Sequence, residues 1–273
     1  MPRFIGRYNP EFILLAAVSV FTVLGFWEIY LGAEANPQPR HHLHLATVLI
    51  WLSLLLIQLI LISRRDFGFH RQLGLAVLLV GPMLVASTAT LSVLSARRNL
   101  ASGQADALIA QNVMGTLGLS VLLLLAFVLK KYRLVHGSLL FSTLIQFGGI
   151  ALFFTLLSFV PMFKIEGPET FYRFGTAAMT GLIFWLSVAA LLFASSPKTR
   201  WPYLLAAAFL LINEAMNFAL EGFDLSYGAT VKLGSLNPAL TFAAGFTIQL
   251  ALLCLALFPV SRRSPPNAAP LRG

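Results

Sequence analysis

Long apolar stretches alternate with short polar ones along the whole chain. Eight of the apolar stretches can cross a bilayer, because a helix needs about 20 consecutive apolar residues to do so. None shows the period-2 alternation of a barrel strand, so each is predicted to be an α-helix. The predicted spans are Phe12–Gly32, Leu45–Ser63, Leu73–Ala96, Ala107–Leu129, Leu139–Phe163, Phe171–Ala194, Trp201–Leu220 and Pro238–Val260. The pattern predicts an all-α fold, a polytopic membrane helical bundle of about eight transmembrane helices.

The composition agrees with a chain that lies mostly in lipid. Hydrophobic residues make up 58% of the sequence and charged residues 11%, whereas a soluble domain carries roughly 25% charge. No stretch outside the spans is long enough for a soluble domain, so residues 1–260 are predicted to form a single transmembrane domain. Residues 261–273, rich in Arg, Pro and Ala, are predicted to be a disordered tail. Within the fifth span, the pair Gly148-Gly149 favours close approach of a neighbouring helix.

The basic residues predict how the bundle is oriented. One set of helix ends carries Arg3, Arg7, Arg64, Arg65, Arg71, Lys130, Lys131, Arg133, Lys198, Arg200, Arg262, Arg263 and Arg272. The opposite set carries Arg40, Arg97, Arg98, Lys164, Arg173 and Lys232. Because Lys and Arg accumulate on the cytoplasmic side, both termini are predicted to be cytoplasmic. The net charge of +9 is thus attributed to orientation and to lipid headgroups, and the expected partner is the bilayer, not nucleic acid.

The first apolar stretch has features of a signal peptide. Arg3 and Arg7 precede it, and Ala33-Glu34-Ala35 resembles a small-x-small cleavage site. A secretory signal has a shorter apolar core, of about 7–15 residues. We therefore expect an uncleaved first helix.

Three histidines cluster at the outer start of the second helix, in the run His41-His42-Leu43-His44. On a helix His41 and His44 share a face and can present two imidazoles to one metal ion or haem. Two alternatives stay open: an interfacial cap that hydrogen-bonds headgroups and water, and a role in proton transfer.

The seventh helix carries a polar stripe. Glu214, Asn217 and Glu221 stand at i, i+3 and i+7 and so lie on one face, with Asn213 beside them. Carboxylates within a membrane span usually face the bundle interior or a cavity. Glu214 is therefore a candidate functional residue, with a protonated side chain bonded to a neighbouring helix as the alternative.

The polar residues near the outer helix ends are predicted to converge on one outward-facing pocket. Histidine and carboxylate together are the ligand set of zinc, iron and copper sites, and His41, His44 and Glu221 are the candidate metal ligands. No spacing matches a metalloenzyme signature such as H-E-x-x-H. The residues expected in the pocket are Glu28, His41, His44, Asn112, Glu214, Asn217 and Glu221.

A second pair of histidines lies at the opposite, inner side. His70 and His136 begin the third and fifth helices. Imidazoles from two neighbouring helices can serve as the axial ligands of one b-type haem. The alternative is that both are ordinary interfacial histidines beside the basic turns.

The second and third helices carry a set of positions that resembles a group of bacterial multi-pass membrane proteins. That group shares an HxH helix start and a His-Arg-x-Leu-Gly junction, and no activity is established for it. The matching positions are His42, His44, Trp51, Gln58, Arg64, Arg65 and His70-Arg71-Gln72-Leu73-Gly74, followed more weakly by Arg133 and His136. The resemblance implies a multi-pass protein of the bacterial inner (plasma) membrane.

The layout is also distantly similar to the four-helix membrane cytochromes b. In that superfamily histidines on alternate core helices hold one haem near each membrane face. The resemblance implies His70 and His136 as the inner haem ligands and His44 as half of an outer pair. The partner helix offers Gln111 and Asn112 but no histidine.

Three functional hypotheses follow from these residues. The first is a redox or metal-binding membrane protein, with haem b or a divalent metal as cofactor and a membrane redox partner. The second is a carrier of a small molecule or of protons, with Glu214 as the relay. The third is a non-catalytic membrane subunit or assembly factor, in which the polar residues serve packing alone.

Overall fold

The computed structural model describes residues 2–33 and 35–257, and within them every regular element is helical. The predicted tail, residues 261–273, lies outside the described residues. Eight helices are long and apolar enough to cross a membrane, which confirms the predicted membrane bundle. These eight are α1 (Pro2–Gly25), α3 (Pro39–Ser63), α5 (Val77–Ala101), α6 (Ile109–Val128), α7 (Arg133–Phe159), α8 (Tyr172–Ser195), α9 (Pro197–Gly222) and α11 (Pro238–Leu257).

Two 3₁₀-helices, Pro161–Phe163 and Pro168–Thr170, lie between α7 and α8, and short α-helices occupy three other connections. They are α2 (Trp27–Tyr30), α4 (Phe67–Gly74) and α10 (Ser226–Gly234). The first predicted span, Phe12–Gly32, is therefore wrong at its outer end, because α1 stops at Gly25 and the chain bends at Phe26 before α2. A Cβ atom at Gly25 would overlap the carbonyl oxygen of Ala151 on α7, so the break coincides with a close approach of α1 to α7.

Helix α7 is the centre of the bundle. It packs against α1, α6, α8 and α9, and 67% of its membrane-spanning window is buried, against 11% for α11. Helix α11 lies at the periphery on α5 and α6, where the hydroxyl of Ser120 donates to Oε1 of Gln249 at 2.5 Å. The side chains packed around α7 therefore line the interior of the bundle and limit the size of any cavity there. We call the bundle end that holds the start of α3 outer and the opposite end inner, following the charge bias.

Gly148 confirms the close helix approach that its position on α7 predicts. The indole of Trp185, on α8, lies where a Cβ atom of residue 148 would stand, and Trp185 is 1% exposed. Because a large aromatic side chain lies directly on this glycine, α7 and α8 pack more closely here than any larger residue would permit.

Replacing Gly148 with alanine is expected to destabilise the protein by about 1–3 kcal/mol, the usual cost of overpacking a well-packed core. The measurement is thermal unfolding of the detergent-purified protein. Gly137, on the same helix, has open space where its Cβ would stand, so Gly137→Ala is the matched control. Equal stability of the two variants would contradict the packing described here.

A buried ion pair connects α1 to α9 near the inner end. Nη2 of Arg200 lies 2.8 Å from Oε1 of Glu11, and the two side chains are only 13% and 10% exposed. Nη1 of Arg200 also donates to the hydroxyl of Ser195 at 2.5 Å. Tyr203, one turn further along α9, is fully buried. Helices α1 and α9 both pack on α7, so the pair ties together two helices on either side of the central one.

Candidate functional site

A cavity of about 250 Å³ lies in the outer half of the bundle. Helices α1, α2, α3, α5, α6 and α7 enclose it. Along α6 it extends from Leu108 to Leu119, a rise of about 16 Å at 1.5 Å per residue. We call this space the outer cavity. It reaches from the outer helix ends to the middle of the membrane.

Two of the predicted histidines line this cavity. His41 lies in the first turn of α3, where its Nδ1 accepts a hydrogen bond from the backbone N–H of Gln38 at 3.2 Å. One turn deeper, Nδ1 of His44 lies 3.3 Å from the hydroxyl of Ser87 on α5. That hydroxyl is held in turn by Thr47, at 2.9 Å. The α3–α5 contact therefore orients the His44 ring through one nitrogen.

Two residues that the sequence did not single out also line the outer end of this cavity. Arg98, in the last turn of α5, lines the cavity and is exposed. Its guanidinium forms no hydrogen bond or ion pair with the described part of the chain. Tyr30, on α2, also lines the cavity, and its buried hydroxyl has no hydrogen-bond partner among the described residues. Burial raises the pKa of this phenol, so Tyr30 is a neutral donor.

Most of the remaining surface of the outer cavity is apolar, although threonine, serine and side-chain amide groups also line it. Its aromatic members are Phe26, Phe147 and Phe154. No Asp or Glu is found among the described residues that line it. Arg98, Tyr30 and His41 stand at the outer end of the cavity and the three phenylalanines line its body, so the cavity offers both polar and apolar surface to a ligand.

Fully buried side chains close the cavity toward the inner side. Its deepest lining residues include Leu119 and Gln146, and the amide of Gln146 donates to the carbonyl of Ala206 at 2.7 Å. Further inward along α3 and α6 come Trp51, Leu122 and Leu123. The indole N–H of Trp51 donates to the hydroxyl of Thr143 at 3.1 Å, which joins α3 to α7 across this layer.

A second, smaller cavity of about 40 Å³ adjoins the first. We call it the side cavity, and its polar lining residues are Gln111, Asn213, Glu214 and Asn217. Nδ2 of Asn213 donates to Oε1 of Gln111 at 2.6 Å and lies 3.3 Å from Oε1 of Glu214. Gln111 lines both cavities. The predicted outer pocket is thus divided into two compartments that share a wall.

Two of the residues expected in the pocket lie elsewhere. Glu28 is on α2 and Glu221 is exposed near the outer end of α9, and neither lines either cavity. Glu28 is displaced because the chain bends at Phe26, which ends α1 before that residue. Within residues 2–33 and 35–257, no group of three or more His, Cys, Asp or Glu side chains could hold a metal ion. Metal binding by His41, His44 and Glu221 stays a prediction.

The inner histidines are close enough to influence each other. Nδ1 of His136 lies 2.7 Å from the carbonyl oxygen of Ala126, a contact that leaves Nε2 as the remaining ring nitrogen. Burial lowers the pKa of His70, and the nearby His136 lowers it further, so His70 is neutral at physiological pH. An axial haem ligand must be a neutral imidazole, and a carbonyl contact at one ring nitrogen, as found for His136, orients the other nitrogen. Haem ligation by this pair stays a prediction.

Sequence reasoning missed Arg98, Tyr30 and Glu11 as members of polar clusters. Arg98 was counted among the outer basic residues, and Tyr30 resembles an ordinary member of the interfacial aromatic belt. The available signal was their position at outer helix ends, beside the histidine run. Glu11 gave no comparable signal, because its partner Arg200 is 189 residues away in sequence.

Comparison of the chain with protein-family models, with curated protein sequences and with solved structures found no match.

Proposed function

We propose that the protein is a membrane carrier that binds a small molecule with an anionic head and an apolar body in the outer cavity. The observation that supports this most directly is the guanidinium of Arg98, which has no partner among the described residues and stands on a cavity that no described Asp or Glu lines. The cavity combines that charge with an apolar interior. Sites for small molecules are typically apolar spaces with a few convergent polar groups.

The positive charge of Arg98 determines which head group the ligand carries. An arginine prefers a carboxylate or phosphate, because its planar fork matches the geometry of those groups and the hydrogen bonds are charge-assisted. The hydroxyl of Tyr30, which has no partner among the described residues, is a second donor at the same end. His44 adds a ring whose Nδ1 is already oriented by Ser87.

The volume of the outer cavity and the chemistry of its lining limit the apolar body of the ligand. A volume of 250 Å³ equals that of about eight water molecules in the liquid, so the ligand is smaller than a typical drug. Phe26, Phe147 and Phe154 surround this part of the cavity. A short alkyl or aromatic carboxylate satisfies both limits, and octanoate is a suitable probe.

The position of the cavity supports carriage in addition to binding. It extends inward to Gln146 in the middle of α7 and stops at the buried layer that contains Trp51 and Leu122. Carriers hold their substrate near the midplane and close one side of the membrane while the other is open. In this proposal, the described arrangement is the outward-open state of such a cycle.

Replacing Arg98 with glutamine is expected to weaken octanoate binding roughly 10- to 100-fold, because a hydrogen bond to a charged group contributes about 1.5–3 kcal/mol. Equilibrium dialysis of the purified protein with labelled octanoate measures this directly. Octanol is the neutral counterpart, and its binding should change little. Lys232, an exposed outer cation that does not line the cavity, gives the control variant Lys232→Gln.

Two results would contradict the proposal: equal affinity of the wild type for octanoate and octanol, or an Arg98→Gln variant that binds octanoate as tightly as the wild type. The same preparation also tests the predicted cofactors. A reduced-minus-oxidised absorption band of b-type haem, or stoichiometric bound metal, would favour the redox hypothesis instead.

A further inference from the structure

We propose that the side cavity is a binding site for a small monovalent cation, sodium or a proton, held by Glu214 and Asn213. This site is separate from the anion end of the outer cavity, and its existence does not depend on what the outer cavity binds. Four observations support it: an uncompensated carboxylate, an unsatisfied amide oxygen, the size of the space and an acidic approach.

The first observation is the lack of a cation beside Glu214. Its carboxylate forms no ion pair with any residue in the described ranges. It stands eight residues before the end of α9 at Gly222, about 12 Å below the outer end at the helical rise. A carboxylate within a membrane span is costly unless it is neutralised. A proton or a bound cation would supply the missing charge.

The second observation is an oxygen without a donor. Asn213 is 3% exposed and lines the side cavity. Its Nδ2 is used by Gln111 and Glu214, while its Oδ1 has no hydrogen-bond partner among the described residues. Buried carbonyl oxygens are rarely left unpartnered. Because the two hydrogen bonds fix which end of the amide donates, Oδ1 is the end left available to a cation.

The third observation is the size of the space. About 40 Å³ holds little more than one water molecule, so a fully hydrated ion or an organic ligand would not fit. The rest of its wall is apolar and includes Phe153, Phe174 and Leu210. An ion that enters must exchange water for protein oxygens, and Asn213, Glu214 and Asn217 offer such oxygens. Oxygen ligands are the ones that hard cations prefer.

The fourth observation is the route by which a cation would arrive. Glu221 lies seven residues beyond Glu214 and so on the same face of α9, and it is exposed near the outer end. Asn217 stands between them and lines the side cavity beside Glu214. The stripe leads from the membrane surface to the side cavity, and its exposed acidic end attracts cations from the outside.

The test is the thermal stability of the purified protein as sodium chloride replaces choline chloride at constant ionic strength. Sodium should raise the unfolding temperature of the wild type in a saturable manner. Glu214→Gln should lose that response, whereas Glu169→Gln, at an exposed outer carboxylate that lines neither cavity, should keep it. If Glu214→Gln does not fold, Asn217→Ala replaces it and should show at least a tenfold weaker sodium response.

The same experiment separates sodium from protons. If the ion is a proton, sodium has no effect, and lowering the pH in choline chloride stabilises the wild type but not Glu214→Gln. The proposal is overturned if neither ion stabilises the wild type, or if the Glu214 variant responds like the wild type. Octanoate binding is measured on the same samples, so a wild-type protein that binds octanoate but responds to neither cation refutes this site alone.

Discussion

Gly115→Phe is expected to abolish octanoate binding and uptake while leaving the protein folded. Gly115 lines the outer cavity, and an added Cβ atom there would meet nothing closer than Nε2 of Gln111, at 4.0 Å. An aromatic side chain at this position therefore extends into the cavity without displacing a neighbouring helix. Because the ligand and the ring would need the same space, affinity should fall well beyond tenfold, a loss of more than about 1.4 kcal/mol.

The measurements are equilibrium dialysis with labelled octanoate and uptake into proteoliposomes. Gly175 is the matched control position, because it also has open space where its Cβ would stand, is exposed, and lines neither cavity. Gly175→Phe should bind and transport like the wild type. Normal uptake by a folded Gly115→Phe protein would show that the outer cavity is not the substrate site.

The membrane-spanning helices were predictable because lipid imposes a simple rule on the chain. A helix that crosses a bilayer must be apolar over a fixed length, and this signal depends only on neighbouring residues. Hydropathy does not mark a bend inside an apolar run, however. The break at Phe26 lies within such a run, and it removed Glu28 from the predicted span. The short helices α4 and α10 are likewise too short to leave a hydropathy signal.

The candidate site was predictable where several polar residues share one helix. His41 and His44 on α3 reach the outer cavity, and Glu214 and Asn217 on α9 reach the side cavity, as helical periodicity suggests. Periodicity does not say which helices pack together. The division of the pocket into two compartments, joined at Gln111, depends on α9 packing against α6 and α7, and nothing local in the sequence specifies that arrangement.

The charged residues show the same limit of sequence analysis, which does not reveal which distant segments pack together. Charge counting gives every basic residue at a helix end the same role, which is to orient the helix in the membrane. The structure gives them different surroundings: Arg97 donates to the carbonyl oxygens of Gly234 and Leu236, Arg98 lines a cavity, and Arg200 pairs with Glu11. Only the packing of distant segments separates a structural arginine from one that is available to a ligand.

Arg200→Gln is expected to destabilise the protein by about 3 kcal/mol, since removing one partner of a buried pair leaves the other charge uncompensated. Glu11 is 8% exposed and its Oε2 already lacks a partner among the described residues, so its carboxylate would lose its only described ion pair. The unfolding temperature should fall by roughly 6–12 °C, given the usual scaling for chains of this size. Thermal unfolding in detergent is the measurement.

Two further variants separate the ion pair from a general effect of lost charge. Glu11→Gln combined with Arg200→Gln should be more stable than Arg200→Gln alone, because the double variant leaves no charge unpaired. The control is Glu166→Gln, since Glu166 is 63% exposed and lies 3.8 Å from Arg173, and exposed pairs contribute about 0–1 kcal/mol. If the double variant is no more stable than Arg200→Gln, the destabilisation comes from lost packing of the arginine side chain, and the ion pair does not tie α1 to α9.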